Sequence, residues 1–153
     1  KLPEYGIVPD ISHLSDEGTA ELFALTDGPL VATHSNARSQ NGHCRNLTDA
    51  QIREVTARGG LIGLNLCSAF LSENAASAGA EDIRRHMEAF FELGAQNVLC
   101  FGTDFDGAQV PRDIRDISGM PALYEALLKY YSKTLLDGVF FENAARFFRR
   151  MWP

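Results

Sequence analysis

Residues 30–35 have the sequence LVATHS, a short apolar run that ends in a histidine. A run of this length and composition indicates a buried strand, and its polar end indicates where the strand leaves the sheet. Three other runs share the pattern: residues 5–13 (YGIVPDISH), 61–67 (LIGLNLC) and 97–104 (NVLCFGTD). Because proline cannot donate a hydrogen bond to a neighbouring strand, Pro9 predicts that the first run is an edge strand, is bulged or begins late.

Helical segments separate the four runs. Ser15 is a candidate N-cap followed by acidic residues, and Thr48 with Gln51 forms a candidate capping box. Further helices are predicted over residues 81–93, 121–131 and 135–148 from the spacing of their apolar residues. Strands that alternate with helices predict an α/β fold with a parallel sheet, built from four βα units in a single domain over residues 1–153.

The composition argues against several classes of protein. Hydrophobic residues make up 45% of the 153 residues, which is enough for a real core. The 14 basic and 20 acidic residues give a net charge of -6 without a basic stripe, so nucleic acid is not an expected partner. No apolar run approaches the roughly 20 residues that cross a bilayer, so we expect no transmembrane segment. The three cysteines are widely spaced and odd in number, which favours free thiols and a cytoplasmic location.

Three of the four runs end in a side chain that can bind a metal or transfer a proton: His13, His34 and Asp104. In a parallel α/β barrel such groups meet on one face, because every loop that follows a strand opens there. Neutral imidazole is a good zinc ligand, and a carboxylate beside a metal can hold or deprotonate its bound water. One strand-end histidine is more often structural, but two in register with an acid favour metal-assisted hydrolysis. His43 is interpreted as a surface residue and His86 as a structural one.

Five stretches, in this order, resemble the membrane (renal) dipeptidases and their bacterial relatives in the metal-dependent amidohydrolase superfamily. They are residues 10–13 (DISH), 33–38 (THSNAR), 45–49 (RNLTD), 59–65 (GGLIGLN) and 102–107 (GTDFDG). The similarity covers nearly the whole chain. It implies a (β/α)₈ barrel of the TIM type in which the four runs are strands five to eight, so that the chain is the C-terminal half of a dipeptidase.

The same resemblance implies roles for individual residues. His13 and His34 correspond to two histidine ligands of one zinc ion, and Asp104 to the aspartate that holds the bridging water and passes its proton to the leaving amine. Arg45 corresponds to the arginine that binds the free carboxylate of a dipeptide substrate, which suits the two parallel hydrogen bonds a guanidinium can donate. Phe70 falls where the family places an aromatic residue on the pocket wall.

The resemblance also implies groups that this sequence lacks: a His-x-Asp pair, a bridging glutamate and a further histidine. A complete family site holds two zinc ions, so this chain alone should bind at most one, weakly, and show little or no dipeptidase activity. Open strand edges should be covered by the missing N-terminal half or by a second copy.

Two alternatives to a dipeptidase fragment stay open. One is a non-catalytic half-barrel module, or a truncated product, that assembles with another chain. The other is a protein that binds a metal or a small acid through His13, His34 and Arg45 alone.

Overall fold

The computed structural model describes residues 5–152, in which helices and short parallel strands alternate. The helices are α1 (Asp16–Leu25), α2 (Asp49–Ala57), α3 (Ser68–Leu71), α4 (Ala80–Glu92), α5 (Met120–Leu127), α6 (Lys133–Asp137) and α7 (Asn143–Met151). The strands are β1 (Val31–Ala32), β2 (Leu61–Leu64) and β3 (Leu99–Phe101). Short 3₁₀ turns cover Ala75–Ser77, Ala95–Asn97 and Ile117–Gly119, and a π-helical turn, Gly138–Glu142, joins α6 to α7.

The three strands form one parallel sheet in the order β1-β2-β3. Ile62 of β2 lies opposite Ala32 on one side and Leu99 on the other. All four residues of β2 are buried, as expected for a central strand covered on both faces. Gly63 is required there, because a Cβ would lie 2.0 Å from the carbonyl oxygen of Thr33. The predicted mixed α/β architecture with a parallel sheet is therefore confirmed.

The first predicted strand is reduced to a single parallel bridge between Asp10 and Val31. The amide of Val31 donates to the Pro9 carbonyl at 3.0 Å, and the amide of Ile11 donates to the Val31 carbonyl at 2.9 Å. Since Pro9 has no amide hydrogen, it contributes only its carbonyl oxygen, and the donor from this run is the amide of Ile11. The prediction that this run begins late is confirmed, but the prediction of a strand over residues 5–13 is wrong.

Helix starts follow the capping residues that the sequence indicated. The Ser15 hydroxyl accepts from the amide of Gly18 at the start of α1. Thr48 and Gln51 form a reciprocal capping box at the start of α2, with the amide of Thr48 donating to the Gln51 side chain at 2.8 Å. Farther along the chain, the helix predicted over residues 135–148 begins earlier and is interrupted by the π-helical turn.

Apolar side chains pack on both faces of the sheet. The main cluster joins Ile62, Leu64 and Leu99 to buried residues of α4, among them Ile83 and Phe90. A smaller cluster on the other face packs Val31, Leu61 and Cys100 against Phe147 of α7. None of the helices within residues 5–152 combines the length and the apolar character needed to cross a membrane.

Candidate metal and substrate site

Two histidines converge at the end of the sheet where β1 leaves it. His34 follows β1 by two residues, and His13 follows the bridge residue Asp10 by three. Their Nε2 atoms lie 2.9 Å apart, and their ring centroids are separated by 4.9 Å. The structure thus brings together the two imidazoles that the sequence placed at neighbouring strand ends.

The spacing of these nitrogens suits a shared cation. At the tetrahedral angle, zinc–nitrogen bonds of about 2.0–2.1 Å place neighbouring ligand nitrogens about 3.3 Å apart, a little more than the 2.9 Å found here. Among residues 5–152, however, no group of three histidine, cysteine, aspartate or glutamate side chains is close enough to hold a metal ion. His13 and His34 therefore fit two positions of a ligand set, and the described residues do not complete that set.

Arg45 reaches the histidine pair from the loop between β1 and α2. Its Nε donates to the Ser12 carbonyl at 2.9 Å, and its Nη2 lies 3.4 Å from His34 Nε2. The guanidinium also lies over the ring of Phe70, 5.5 Å from its centroid. These contacts hold a positive charge beside the histidines, where it can bind an anionic group.

Phe70 lies on α3 and forms an aromatic wall next to Arg45. Its carbonyl accepts a hydrogen bond from the Asn46 side chain at 2.9 Å, which ties α3 to the Arg45 loop. The ring of His43 packs against Phe70 with 4.4 Å between centroids, and His43 Nδ1 accepts from the amide of Arg45 at 3.2 Å. His43 is partly exposed, which is consistent with its interpretation as a surface residue, although its ring packs against Phe70.

Asp104 follows β3 and is held by Asn65 rather than by the histidines. The Asn65 side-chain amide donates to Asp104 Oδ2 at 3.2 Å and to the His34 carbonyl at 3.3 Å. Among the described residues, Asp104 alone has a positive φ without being glycine, at 58°. Gly107 leaves room for its carboxylate, because a Cβ there would lie 2.2 Å from Asp104 Oδ1. Within residues 5–152, no hydrogen bond joins Asp104 to either imidazole.

The charges around His34 oppose one another. Burial lowers the pKa of His34, and the nearby His13 and Arg45 lower it as well, whereas Asp104 and Asp10 raise it. The net effect is a pKa below the ordinary value, which favours the neutral imidazole that a metal requires.

Sequence reasoning gave no individual role to Asp10, Thr33 or Asn65, although all three contact the site. Asp10 and Thr33 hydrogen-bond to each other, and Thr33 Oγ1 lies 2.8 Å from His34 Nδ1. Asn65 is fully buried and joins the ends of β1 and β3, as described above. All three stand in the short stretches singled out in the sequence, residues 10–13, 33–38 and 59–65, and that position was the available signal.

The comparisons with known proteins agree with this geometry. A family model of the membrane dipeptidases, peptidase family M19, matches residues 1–151. The chain belongs to this membrane dipeptidase family.

Solved structures of the membrane dipeptidase family superpose closely. A dipeptidase described as a metallopeptidase of family M19 has a TM-score of 0.93 and 35% identity, covering 99% of this chain and 46% of that chain. A metallopeptidase from Rhodobacter sphaeroides, bound to a phosphinate mimic of the dipeptide L-Ala-D-Ala, gives the same TM-score and identity, covering 99% and 44%.

A curated relative also matches nearly all of this chain over only part of its own length. An uncharacterised protein encoded in the pqqA 5′ region of Klebsiella pneumoniae is 31% identical over 147 residues, which are 94% of this chain and 54% of the relative. This member of the membrane dipeptidase family thus spans about half the length of the relatives it matches. Membership of this metallopeptidase family implies dependence on a metal.

Proposed function

We propose that this chain supplies the C-terminal half of a zinc-dependent dipeptidase, equivalent to strands five to eight of a (β/α)₈ barrel. The observation that carries the proposal is the approach of His13 and His34, whose Nε2 atoms lie 2.9 Å apart at one end of the sheet. The match of 99% of the chain to less than half of two family M19 metallopeptidases supports the half-barrel assignment.

In this proposal the reaction is hydrolysis of a dipeptide by a metal-activated water. Zinc, when bound, supplies Lewis acidity that raises the acidity of the water. His13 and His34 would hold the metal through their ring nitrogens. Asp104 would accept a proton from the attacking water and donate it to the leaving amine, and its restrained carboxylate is suited to moving a proton at one fixed position.

Substrate length would be measured by Arg45. Its Nη2 lies 3.4 Å from His34 Nε2, so a carboxylate bound by the guanidinium would lie next to the metal ligands. A second peptide unit would extend past this charge, which restricts the substrate to dipeptides. The ring of Phe70 packs against the guanidinium of Arg45 and forms the wall against which a substrate side chain would pack.

The remaining ligands must come from other polypeptide. In our proposal a preceding N-terminal half, or a second copy of this chain, covers the free edge of β3 and completes the metal set. A non-catalytic half-barrel module is the competing function, and the absence of a three-ligand group within residues 5–152 is the observation that favours it.

The experiment compares this chain with the protein in which it occurs, including any polypeptide encoded before Lys1. Both are purified, their zinc content is measured by elemental analysis, and each is assayed with L-Ala-D-Ala as the probe dipeptide. We expect two zinc ions and turnover in the longer protein, and at most one zinc ion with little or no turnover in this chain. Turnover that survives substitution of both His13 and His34 by alanine in the longer protein would overturn the proposal, as would a longer protein that binds no metal.

A further inference from the structure

The carboxylate of Asp10 accepts four hydrogen bonds from two residues. Oδ1 accepts from the amide of Ser12 at 3.0 Å, from the Ser12 hydroxyl at 2.8 Å and from the amide of Thr33 at 3.1 Å. Oδ2 accepts from the Thr33 hydroxyl through a short hydrogen bond. Burial raises the pKa of Asp10, but the hydrogen bonds from Thr33 and Ser12 outweigh it and lower the pKa, so the group is an ionised acceptor.

This arrangement fixes the direction of both hydroxyl protons. An ionised carboxylate has no hydrogen to donate, so Ser12 and Thr33 each direct their single hydroxyl proton to Asp10. What remains on each hydroxyl oxygen is a pair of acceptor sites. Two neutral hydroxyls next to one carboxylate thus become two oriented acceptors.

Both acceptors face His34. The Ser12 Oγ accepts from the backbone amide of His34 at 3.1 Å, and the Thr33 Oγ1 lies 2.8 Å from His34 Nδ1. Since the hydroxyl proton of Thr33 points to Asp10, the hydrogen in the second contact has to come from Nδ1. A neutral imidazole carries one ring hydrogen, so Nε2 then bears a lone pair.

A separate contact supports this tautomer from the other side of the ring. Arg45 Nη2 lies 3.4 Å from His34 Nε2, and a guanidinium is a donor only. The arginine therefore requires an acceptor at Nε2. In the chain without metal, the proton between the two imidazoles must then belong to His13, whose Nε2 lies 2.9 Å away.

We infer that Asp10, acting through the Thr33 hydroxyl, is a positioning residue that holds His34 as the Nδ1–H tautomer and presents its Nε2 lone pair to the metal. The inference rests on the proposed function for the identity of the ligand, but the tautomer is a property of the metal-free chain. Asp10 and Thr33 lie 23 residues apart, so the hydrogen bonds between them depend on the register that aligns the two segments.

The tautomer can be read directly by long-range ¹H–¹⁵N correlation spectroscopy of the metal-free 153-residue chain at alkaline pH. We expect the Nδ1–H pattern for His34 in the wild type and in Thr33→Ser, which keeps the hydroxyl. Thr33→Val, which has the same shape without the hydroxyl, should shift the population towards Nε2–H, as should Asp10→Asn. An Nε2–H pattern for His34 in the wild type would overturn the inference, and so would a pattern unchanged by Thr33→Val.

Metal affinity gives the second measurement, with Zn²⁺ as the probe in competition with a chromophoric chelator. Loss of a hydrogen-bond partner of a ligating histidine weakens metal binding by about 10–100-fold, and we expect this loss for Thr33→Val with recovery in Thr33→Ser. Thr56→Val is the matched control, because the Thr56 hydroxyl has no partner among the described residues. A wild type that shows the Nδ1–H tautomer but binds no Zn²⁺ would refute the metal site and leave the tautomer assignment standing; equal affinity in all four proteins would refute the positioning role.

Discussion

His86 should make the stability of this chain dependent on pH. The residue lies on α4 and is fully buried. Its Nδ1 accepts from the amide of Ala37 at 3.2 Å, and its Nε2 donates to the Leu71 carbonyl at 3.0 Å. The interpretation of His86 as a structural residue is confirmed by these bonds, which connect the loop after β1 to the end of α3. Protonation would set a new N–H against the amide of Ala37, so the folded protein requires the neutral ring.

The size of the effect follows from the shift in pKa. Burial lowers the pKa of His86 from 6.5 to about 4, outweighing the hydrogen bond to Leu71, which raises it. The unfolded chain therefore binds a proton that the folded chain does not, over the range between these values. The contribution of His86 to the free energy of unfolding is fully present above pH 6.5 and is lost as the pH falls towards 4. At about 1.4 kcal/mol per pH unit, the total loss is about 3 kcal/mol.

Urea unfolding followed by circular dichroism at a series of pH values measures this dependence. His86→Gln serves as the comparison, because glutamine is polar but does not titrate in this range. Carboxylates titrate in both proteins, so the quantity of interest is the difference between their unfolding free energies. We expect the wild type to lose about 3 kcal/mol relative to the variant between pH 6.5 and pH 4. Parallel pH profiles for the two proteins would refute the reasoning.

Three further predictions concern the site and the sheet. In the longer protein that contains this chain, Arg45→Lys should raise KM for a dipeptide by about 10–100-fold, because lysine cannot form two parallel bonds to a carboxylate. In the same assay Asp104→Asn should lower kcat by about 100-fold or more without loss of stability, since asparagine also tolerates a positive φ. Asn143→Ala should destabilise the chain by about 2 kcal/mol in urea unfolding, because the buried Asn143 side chain donates to the Leu99 carbonyl at 2.7 Å.

The two site predictions have matched controls, and each of the three predictions has a result that would contradict it. Arg53→Lys changes an exposed arginine of α2 and should leave KM unchanged. Asp116→Asn removes an exposed carboxylate and should leave kcat unchanged. Equal KM for Arg45→Lys and wild type would exclude substrate recognition by Arg45, and full kcat in Asp104→Asn would exclude proton transfer by Asp104. An Asn143→Ala variant as stable as wild type would show that the Leu99 carbonyl finds another donor.

Local signals carried most of the fold that the sequence predicted. The capping residues Ser15 and Thr48 begin their helices because a capping hydroxyl bonds to an amide only three residues away. Three of the four apolar runs became β1, β2 and β3, because burial on both faces selects continuous apolar sequence. His13 and His34 were predicted to lie close together because the loops that follow parallel strands open on one face.

The features that the sequence did not predict depend on distant contacts. From the sequence, Asp10 and Thr33 are two polar residues in separate segments. Their contact follows only from the parallel bridge that aligns those segments. His43 was interpreted as a surface residue because its neighbours in sequence are polar, and its contact with Phe70 of α3 could not be predicted from those neighbours. The first strand was overestimated because apolar composition continues through Pro9, whereas pairing depends on amide hydrogens.

The π-helical turn at Gly138–Glu142 determines how α7 is rotated about its own axis, and so which of its side chains face the sheet. The amide of Asn143 bonds to the carbonyl of Gly138, five residues back, so this turn holds one residue more than an α-helical turn. Deleting one residue here would turn the final helix by about 100° about its axis. The side-chain amide of Asn143 would swing away from the Leu99 carbonyl of β3, and Phe147 would leave the apolar cluster it fills. A single-residue deletion in this turn should thus be far more harmful than one in an exposed loop, although it removes no residue of the site.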